Sequence, residues 1–151
     1  MPRVIISDTS CFIILSKIDK LDILKQVYGE VTTTVDIANE YGESLPEWVR
    51  VIEVNDKNRQ ALLEMQIDKG ESSAIALALG ISNSSLILDD YKARKVADQL
   101  KIPFTGTIGI IIKAKRLGHI SLVKPVLERI KQSDFRISDE IEAQALREAG
   151  E

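Results

Sequence analysis

Two short apolar runs, each cut off by acids, constrain this 151-residue chain more than any other feature. Val4-Ile5-Ile6-Ser7 runs into Asp8, and Ser85-Leu86-Ile87-Leu88 runs into Asp89-Asp90. Strands of a parallel sheet are buried on both faces and read as continuous hydrophobics. Such runs therefore predict strands with carboxylates emerging at their carboxyl ends, the edge at which open α/β sheets place their ligands. Between them, Gly70-Glu71-Ser72-Ser73-Ala74-Ile75-Ala76-Leu77-Ala78-Leu79 reads as a small-residue helix with Glu71 in its first turn and Gly70 as the break before it. Three acids then face one crevice. Taken singly, Glu71 complements a helix dipole and Asp89 caps the next helix, and those roles need no further chemistry.

The remaining elements follow in order. Asp8-Thr9-Ser10 has the turn and capping residues that start a short helix, in which Phe12, Ile13 and Leu15 are expected to face inward. Leu21, Ile23, Leu24 and Val27 mark a second helix, ended by Gly29, and Val31-Thr32-Thr33 reads as the second strand. Thr34 is placed to cap a helix running to about Tyr41, with Gly42 as its stop. Asp36 and Glu40 share a face of that helix, and on spacing alone both read as solvated acids.

Pro46-Glu47-Trp48 turns the chain into an edge-like strand over 49–54, and a helix is expected from about 56 to 66. Trp48 is assigned to the rim of the core. After Asp90, Ala93, Val96, Ala97 and Leu100 define the inward stripe of an amphipathic helix, with Lys92 and Lys95 outward. Ile102-Pro103-Phe104 predicts a last strand leading through Thr105-Gly106-Thr107 to a buried helix with a basic end, and Thr105 or Thr107 serves either as a hydroxyl for a bound water or phosphate or as a turn and cap. Two further helices are expected over 122–130 and 141–146, the last capped by Ser138, with the sole histidine, His119, in a turn. Strand and helix alternating five times predict a three-layer α/β domain around a parallel five-stranded sheet. Residues 1–151 then form one domain, with the helices from about 121 appended to the same core.

Composition narrows the setting. With 44% hydrophobic and 28% charged residues and no low-complexity tract, the chain is of ordinary globular type. The lone Cys11 has no partner for an internal disulfide, and no apolar run reaches membrane-spanning length. A cytoplasmic protein without a leader or membrane partner is the expectation. The net charge of −3 conceals a segregation. Residues 1–90 carry 8 Lys/Arg against 15 Asp/Glu, residues 91–131 carry 10 against 2, and residues 132–151 carry 2 against 6. A basic block holding Lys92, Arg94, Lys95, Lys113, Lys115 and Arg116 directly after an acidic pair suits a site that grips phosphates beside a metal, although such residues are also ordinary solvated helix faces.

Clustered carboxylates suit hard divalent ions, which take oxygen ligands, and two such ions can activate a water and stabilise a leaving oxygen in phosphodiester cleavage. Aspartyl-phosphate chemistry fits less well. A dehalogenase-type phosphatase needs a second carboxylate two residues after its nucleophile, where this chain has Ser10. A receiver domain needs its acid pair after the first strand, whereas here the pair follows the fourth.

With Asp8, Glu40, Glu71 and Asp89-Asp90 in this order, the chain resembles the PIN-domain ribonuclease superfamily, and more narrowly the PIN-like family DUF3368, a relative of VapC-type toxins. Ile6-Ser7-Asp8-Thr9-Ser10, Gly70-Glu71, Leu88-Asp89-Asp90 with Ala93-Arg94, and Thr105-Gly106-Thr107-Ile108-Gly109 carry the likeness, which spans essentially the whole chain. The resemblance implies a Mg²⁺- or Mn²⁺-dependent endoribonuclease, often the toxin of a toxin–antitoxin pair. Asp8, Glu40, Glu71 and Asp90 match the four acids of the superfamily, and Asp89 is a neighbour that the narrower family tends to carry. Asp8, Glu71, Asp89 and Asp90 are then the metal candidates, and Lys92, Arg94, Lys113, Arg116, Thr105 and Thr107 the candidates for RNA contact. A small antitoxin and a second copy of the chain are the expected protein partners. The third acid is Glu71 where many members have Asp, and the added methylene changes the reach of a ligand. The alternative is a PIN-like module that holds RNA or protein without cutting.

Overall fold

The computed structural model describes residues 3–151. Its sheet has strands β1 (Val4–Ser7), β2 (Val31–Thr34), β3 (Val49–Ile52), β4 (Ser84–Ile87) and β5 (Phe104–Thr105), all parallel, in the order β3-β2-β1-β4-β5. The flanking helices are α1 (Thr9–Lys17), α2 (Asp22–Tyr28), α3 (Val35–Tyr41), α4 (Lys57–Leu63), α5 (Lys69–Leu79), α6 (Tyr91–Gln99), α7 (Thr107–Arg116), α8 (Lys124–Gln132) and α9 (Asp139–Glu148). This is the expected three-layer α/β architecture.

The strand order makes β1 the centre. The chain runs outward from β1 through β2 to β3, then returns to lay β4 on the other side of β1. A crevice opens at such a reversal, outside the carboxyl ends of the two strands that flank it. Register fixes what stands there: Ile6 pairs with Leu86 and Ser7 with Ile87, so Asp8 and Asp89-Asp90 leave the sheet side by side. Phe12, Leu15, Leu24, Ile37, Ile75, Leu86, Ile111 and Leu127 are fully buried around that centre.

Two buried threonines of β2, Thr33 and Thr34, tie the strand's end to its neighbours. Thr33 Oγ1 donates to the Ser7 carbonyl at 2.9 Å, which ties β2 to the end of β1. Thr34 Oγ1 accepts from the Ile37 amide at 3.1 Å as the cap of α3 and lies 2.6 Å from Ser73 Oγ, which itself donates to the Gly70 carbonyl at 2.6 Å. This chain of hydroxyls fastens the first turn of α5, and Glu71 with it, to the end of β2. Buried polar groups without partners are expensive, so such a network favours one packing over its alternatives. At the far end of the chain, Glu151 does similar work. Val123 gives α8 no side-chain cap, and the Glu151 carboxylate accepts from the amides of Val123 at 2.6 Å and Lys124 at 3.1 Å and from Lys115 Nζ at 2.9 Å. Those donors hold its carboxyl below the usual range.

Several local expectations are corrected. Gly70 does not break the chain: α5 starts at Lys69 with Asp68 as its N-cap, and Gly70 lies inside the first turn. Its missing side chain makes room instead, because a Cβ there would stand 2.8 Å from Glu40 Oε1. Ile13 and Leu100, expected inward, are 38% and 41% exposed, since the short helices α1 and α6 turn only narrow stripes toward the sheet. The third strand stops at Ile52 rather than Val54, and the last contains only Phe104 and Thr105. Pro103 has no amide to donate, though its carbonyl accepts from Leu86. The helix expected over 56–66 is confined to Lys57–Leu63, and α8 begins at Lys124, later than the apolar pattern from Leu122 suggested. Trp48 packs at the edge of the core as expected.

Because Gly70 serves Glu40 and not the backbone, Gly70→Ala gains about 0.8–1 kcal/mol of helix propensity while displacing only the end of a flexible side chain. Its thermal midpoint is expected within about 3 °C of the parent. A fall of 10 °C or more would show that the backbone itself requires glycine.

Candidate active site

Asp8 is the first residue beyond β1 and caps α1. Its Oδ1 accepts from the Cys11 amide and its Oδ2 from the Asp89 amide, each at 3.0 Å. The second bond crosses the switch point and joins the ends of β1 and β4. Asp89 continues the chain of bonds, accepting at Oδ1 from the Thr107 amide at 2.9 Å and at Oδ2 from Thr107 Oγ1 at 2.7 Å, at the N-terminus of α7. Asp90 caps α6, with Oδ2 accepting from the Ala93 amide at 2.9 Å. Glu40, on α3, accepts from Thr9 Oγ1, and Glu71 is half-buried in the first turn of α5.

These five acids line one crevice of about 600 Å³, together with Asp68 and Asp134. Among the described residues, seven carboxylates there face a single cation, Lys17, which lies 3.6 Å from Asp134. Electrostatics record the crowding. Burial, then the charge of Asp89 and more weakly that of Glu71, push the Asp8 carboxyl from its ordinary 3.8 up to about 8 against the pull of its two amide bonds. Glu71 is also raised, first by burial and then by Asp68, Asp90 and Glu40.

Asp68 was not foreseen as part of this site. The available signal was its N-cap position ahead of Lys69-Gly70-Glu71, hidden once Gly70 was read as a break. Asp36, on the same helix as Glu40, is held away: its Oδ2 accepts from Gln60 Nε2 at 2.7 Å and it lies 3.8 Å from Lys69.

The basic candidates are scattered. Arg94 Nε donates to the Leu88 carbonyl at 2.6 Å, and its guanidinium lies 5.4 Å from the centre of the Phe104 ring. A Cβ at Gly106 would collide with that guanidinium and stand 2.9 Å from Asp89 Oδ1, so this glycine gives both side chains access to the backbone. Thr107 is buried on Asp89, while Thr105 faces the neighbouring groove. Lys92 is exposed beyond Asp90. Lys113 lies 5.0 Å from the centre of the Tyr28 ring, Lys115 donates to the Ala149 carbonyl and Glu151, and Arg116 donates to the Glu148 carbonyl. The basic end of α7 thus meets Tyr28 and the C-terminal segment instead of the acid crevice.

The DUF3368 family, described as a PIN domain, matches residues 4–151. This chain is a PIN domain of that family. No curated protein and no solved structure gives a significant match. A PIN domain is a nuclease-type fold, and such domains generally use divalent metal ions.

Among the described residues, no three His, Cys, Asp or Glu side chains close into a ready-made metal cage. The donor set nevertheless suits a hard cation: it is all oxygen, short of positive charge, and contains a carboxylate raised first by its burial and then by its acidic neighbours. Mg²⁺ usually keeps several waters and takes only one or two protein carboxylates, so a closed cage is not required.

A folded-state value near 8 against an unfolded one near 3.8 means that native Asp8 holds its proton over that interval while the unfolded chain does not. Its contribution is full below about pH 4 and lost as pH rises toward 8. The midpoint of metal-free protein is expected to fall from pH 5 to pH 8, and millimolar Mn²⁺ to reduce that fall by binding the ionised cluster. A midpoint that stays level or rises without metal would contradict the assignment.

Proposed function

We propose that the chain is a Mg²⁺- or Mn²⁺-dependent endoribonuclease that hydrolyses RNA phosphodiester bonds. The observation that carries this reading is the convergence of seven carboxylates and one lysine on a single crevice at the switch point of a PIN fold. Asp8 and Asp90 are the residues assigned to hold the principal ion. Glu71 would offer a further carboxylate to the ion or its water, and Glu40, steadied by Thr9, would position water at the margin. When bound, the ion supplies an activated water and charge for the leaving oxygen.

The other roles belong to the protein. Asp89 acts chiefly as a positioning residue, since its amide holds Asp8 while Thr107 fixes its carboxylate. Lys92 and the outward edge of Arg94 are assigned to substrate phosphates, which gives affinity without base preference. The proposal extends to a cytoplasmic toxin made with a small antitoxin and self-associating as a dimer. The acid crevice offers an inhibitor's arginine a place to pair, and the family resemblance supports the same reading. No helix among the described residues is long and apolar enough to cross a membrane.

One observation favours a non-cutting PIN-like module. Asp8, Asp89, Asp90 and Glu40 all accept hydrogen bonds from the protein itself, so each has a structural duty that would preserve it without catalysis.

Asp90→Asn and Glu71→Gln separate the two. Asn caps a helix about as well as Asp, and the Glu71 carboxylate accepts from its own amide, a bond that the Gln carbonyl can also accept, so both variants keep the fold while removing charge. Purified parent should cleave single-stranded RNA with Mg²⁺ or Mn²⁺ and stop with a chelator, and either variant should lose about 100-fold or more in rate. Parent that never cleaves, or variants that cleave equally well, would turn the assignment to the binding module.

A further inference from the structure

A second depression of about 510 Å³ adjoins the acid crevice and shares Asp89 and Phe135 with it. Phe104, Phe135, Ile137 and Ile141 line it with apolar surface, and Arg94 and Arg136 add cations. Two cations balance its two acids, where its neighbour sets seven acids against one lysine. Of its two acids, Asp89 is committed to Thr107, and Glu148 Oε1 accepts from Gln144 Nε2 at 3.2 Å. Arg136 is exposed and enters no ion pair among the described residues, while Arg94 is held beside Phe104 by the Leu88 carbonyl.

The acid crevice also shares Asp68 and Asp90 with a third depression, where Met65 is 81% and Tyr91 73% exposed next to Lys92. The acid crevice therefore adjoins both other depressions. A polyanion whose phosphate lies at the acids must continue in two directions, and the cations and apolar surfaces it needs are in those two depressions.

We propose that the groove between Phe104 and Phe135 seats an unstacked base of single-stranded RNA, flanking the phosphate held at the acids, with Arg94 and Arg136 on its backbone. The proposal rests on the ribonuclease reading and deepens it to a base subsite beside the acids. A pocket this size takes a single nucleotide. Single strands are recognised by splaying bases onto aromatic rings and guanidinium planes, which a base inside a duplex does not offer.

The test measures fluorescence anisotropy of a short labelled oligouridylate on the full-length unmutated protein, with Ca²⁺ replacing Mg²⁺ to occupy the acids without supporting hydrolysis, over a series of salt concentrations. Arg136→Ala and Ile141→Glu are compared with it, both at exposed positions that leave the core untouched. Arg3→Ala, at the amino end of β1 and so at the end of that strand away from the acids, controls for net charge. Arg136→Ala is expected to weaken binding about three- to tenfold and to lower the salt slope by about 1, and Ile141→Glu to weaken it about tenfold, with Arg3→Ala near the parent. With Mg²⁺ restored, Arg136→Ala should raise KM and leave kcat unchanged. If the parent binds the oligonucleotide and neither groove variant weakens it more than Arg3→Ala, the groove assignment is overturned and the ribonuclease reading stands. If the parent binds no RNA at any salt, both fall.

Discussion

The two hydrogen bonds accepted by Asp8 are the point on which the structure turns. One comes from the first turn of α1 and the other from the amide of Asp89, so a single carboxylate closes the end of β1 and draws the end of β4 against it. Burial makes those bonds strong and makes the charge that accepts them expensive. The same placement thus organises the sheet edge and leaves an acid whose carboxyl is driven up to about 8. A cation is the simplest partner for such a group, and no side-chain cation of the protein pairs with it among the described residues.

From that bond outward, much of the candidate site turns out to be architecture as well as chemistry. Asp89 anchors α7 through Thr107, Asp90 starts α6, and Arg94 is sandwiched between Phe104 and the bare backbone of Gly106. The hydroxyl chain from Thr34 through Ser73 to Gly70 sets the pitch of the turn that offers Glu71. Glu71 alone among the principal acids carries little such duty, which makes it the position where charge and fold are most cleanly separable.

The layering and the main acids were legible in the sequence because each rests on local rules. An apolar run ended by an acid places that acid at a strand's end, and Thr34, Gly42 and Ser138 announce helix boundaries by their own side chains or lack of one. What was hidden depended on partners distant in sequence. Nothing near Asp36 reveals that Gln60 will divert it, and nothing near Lys115 reveals Glu151. Gly70 was misread for the same reason: its cause is the carboxylate of Glu40, thirty residues upstream, and not its own backbone. The strand order, which sets Asp8 beside Asp89 and puts the crevice between them, is likewise a property of pairing and not of pattern.

The central claim is that this crevice is a divalent-cation site, and Mn²⁺ electron paramagnetic resonance tests it without reference to any substrate. The free aqua ion gives a sharp six-line signal that is lost on binding, so titration counts bound ions per chain directly. The account predicts signal loss at stoichiometric protein in the parent, recovery of most of it in Asp90→Asn protein that remains folded, and recovery of a smaller part in Glu71→Gln. A free-ion signal undiminished by the parent at millimolar concentrations of both would contradict it.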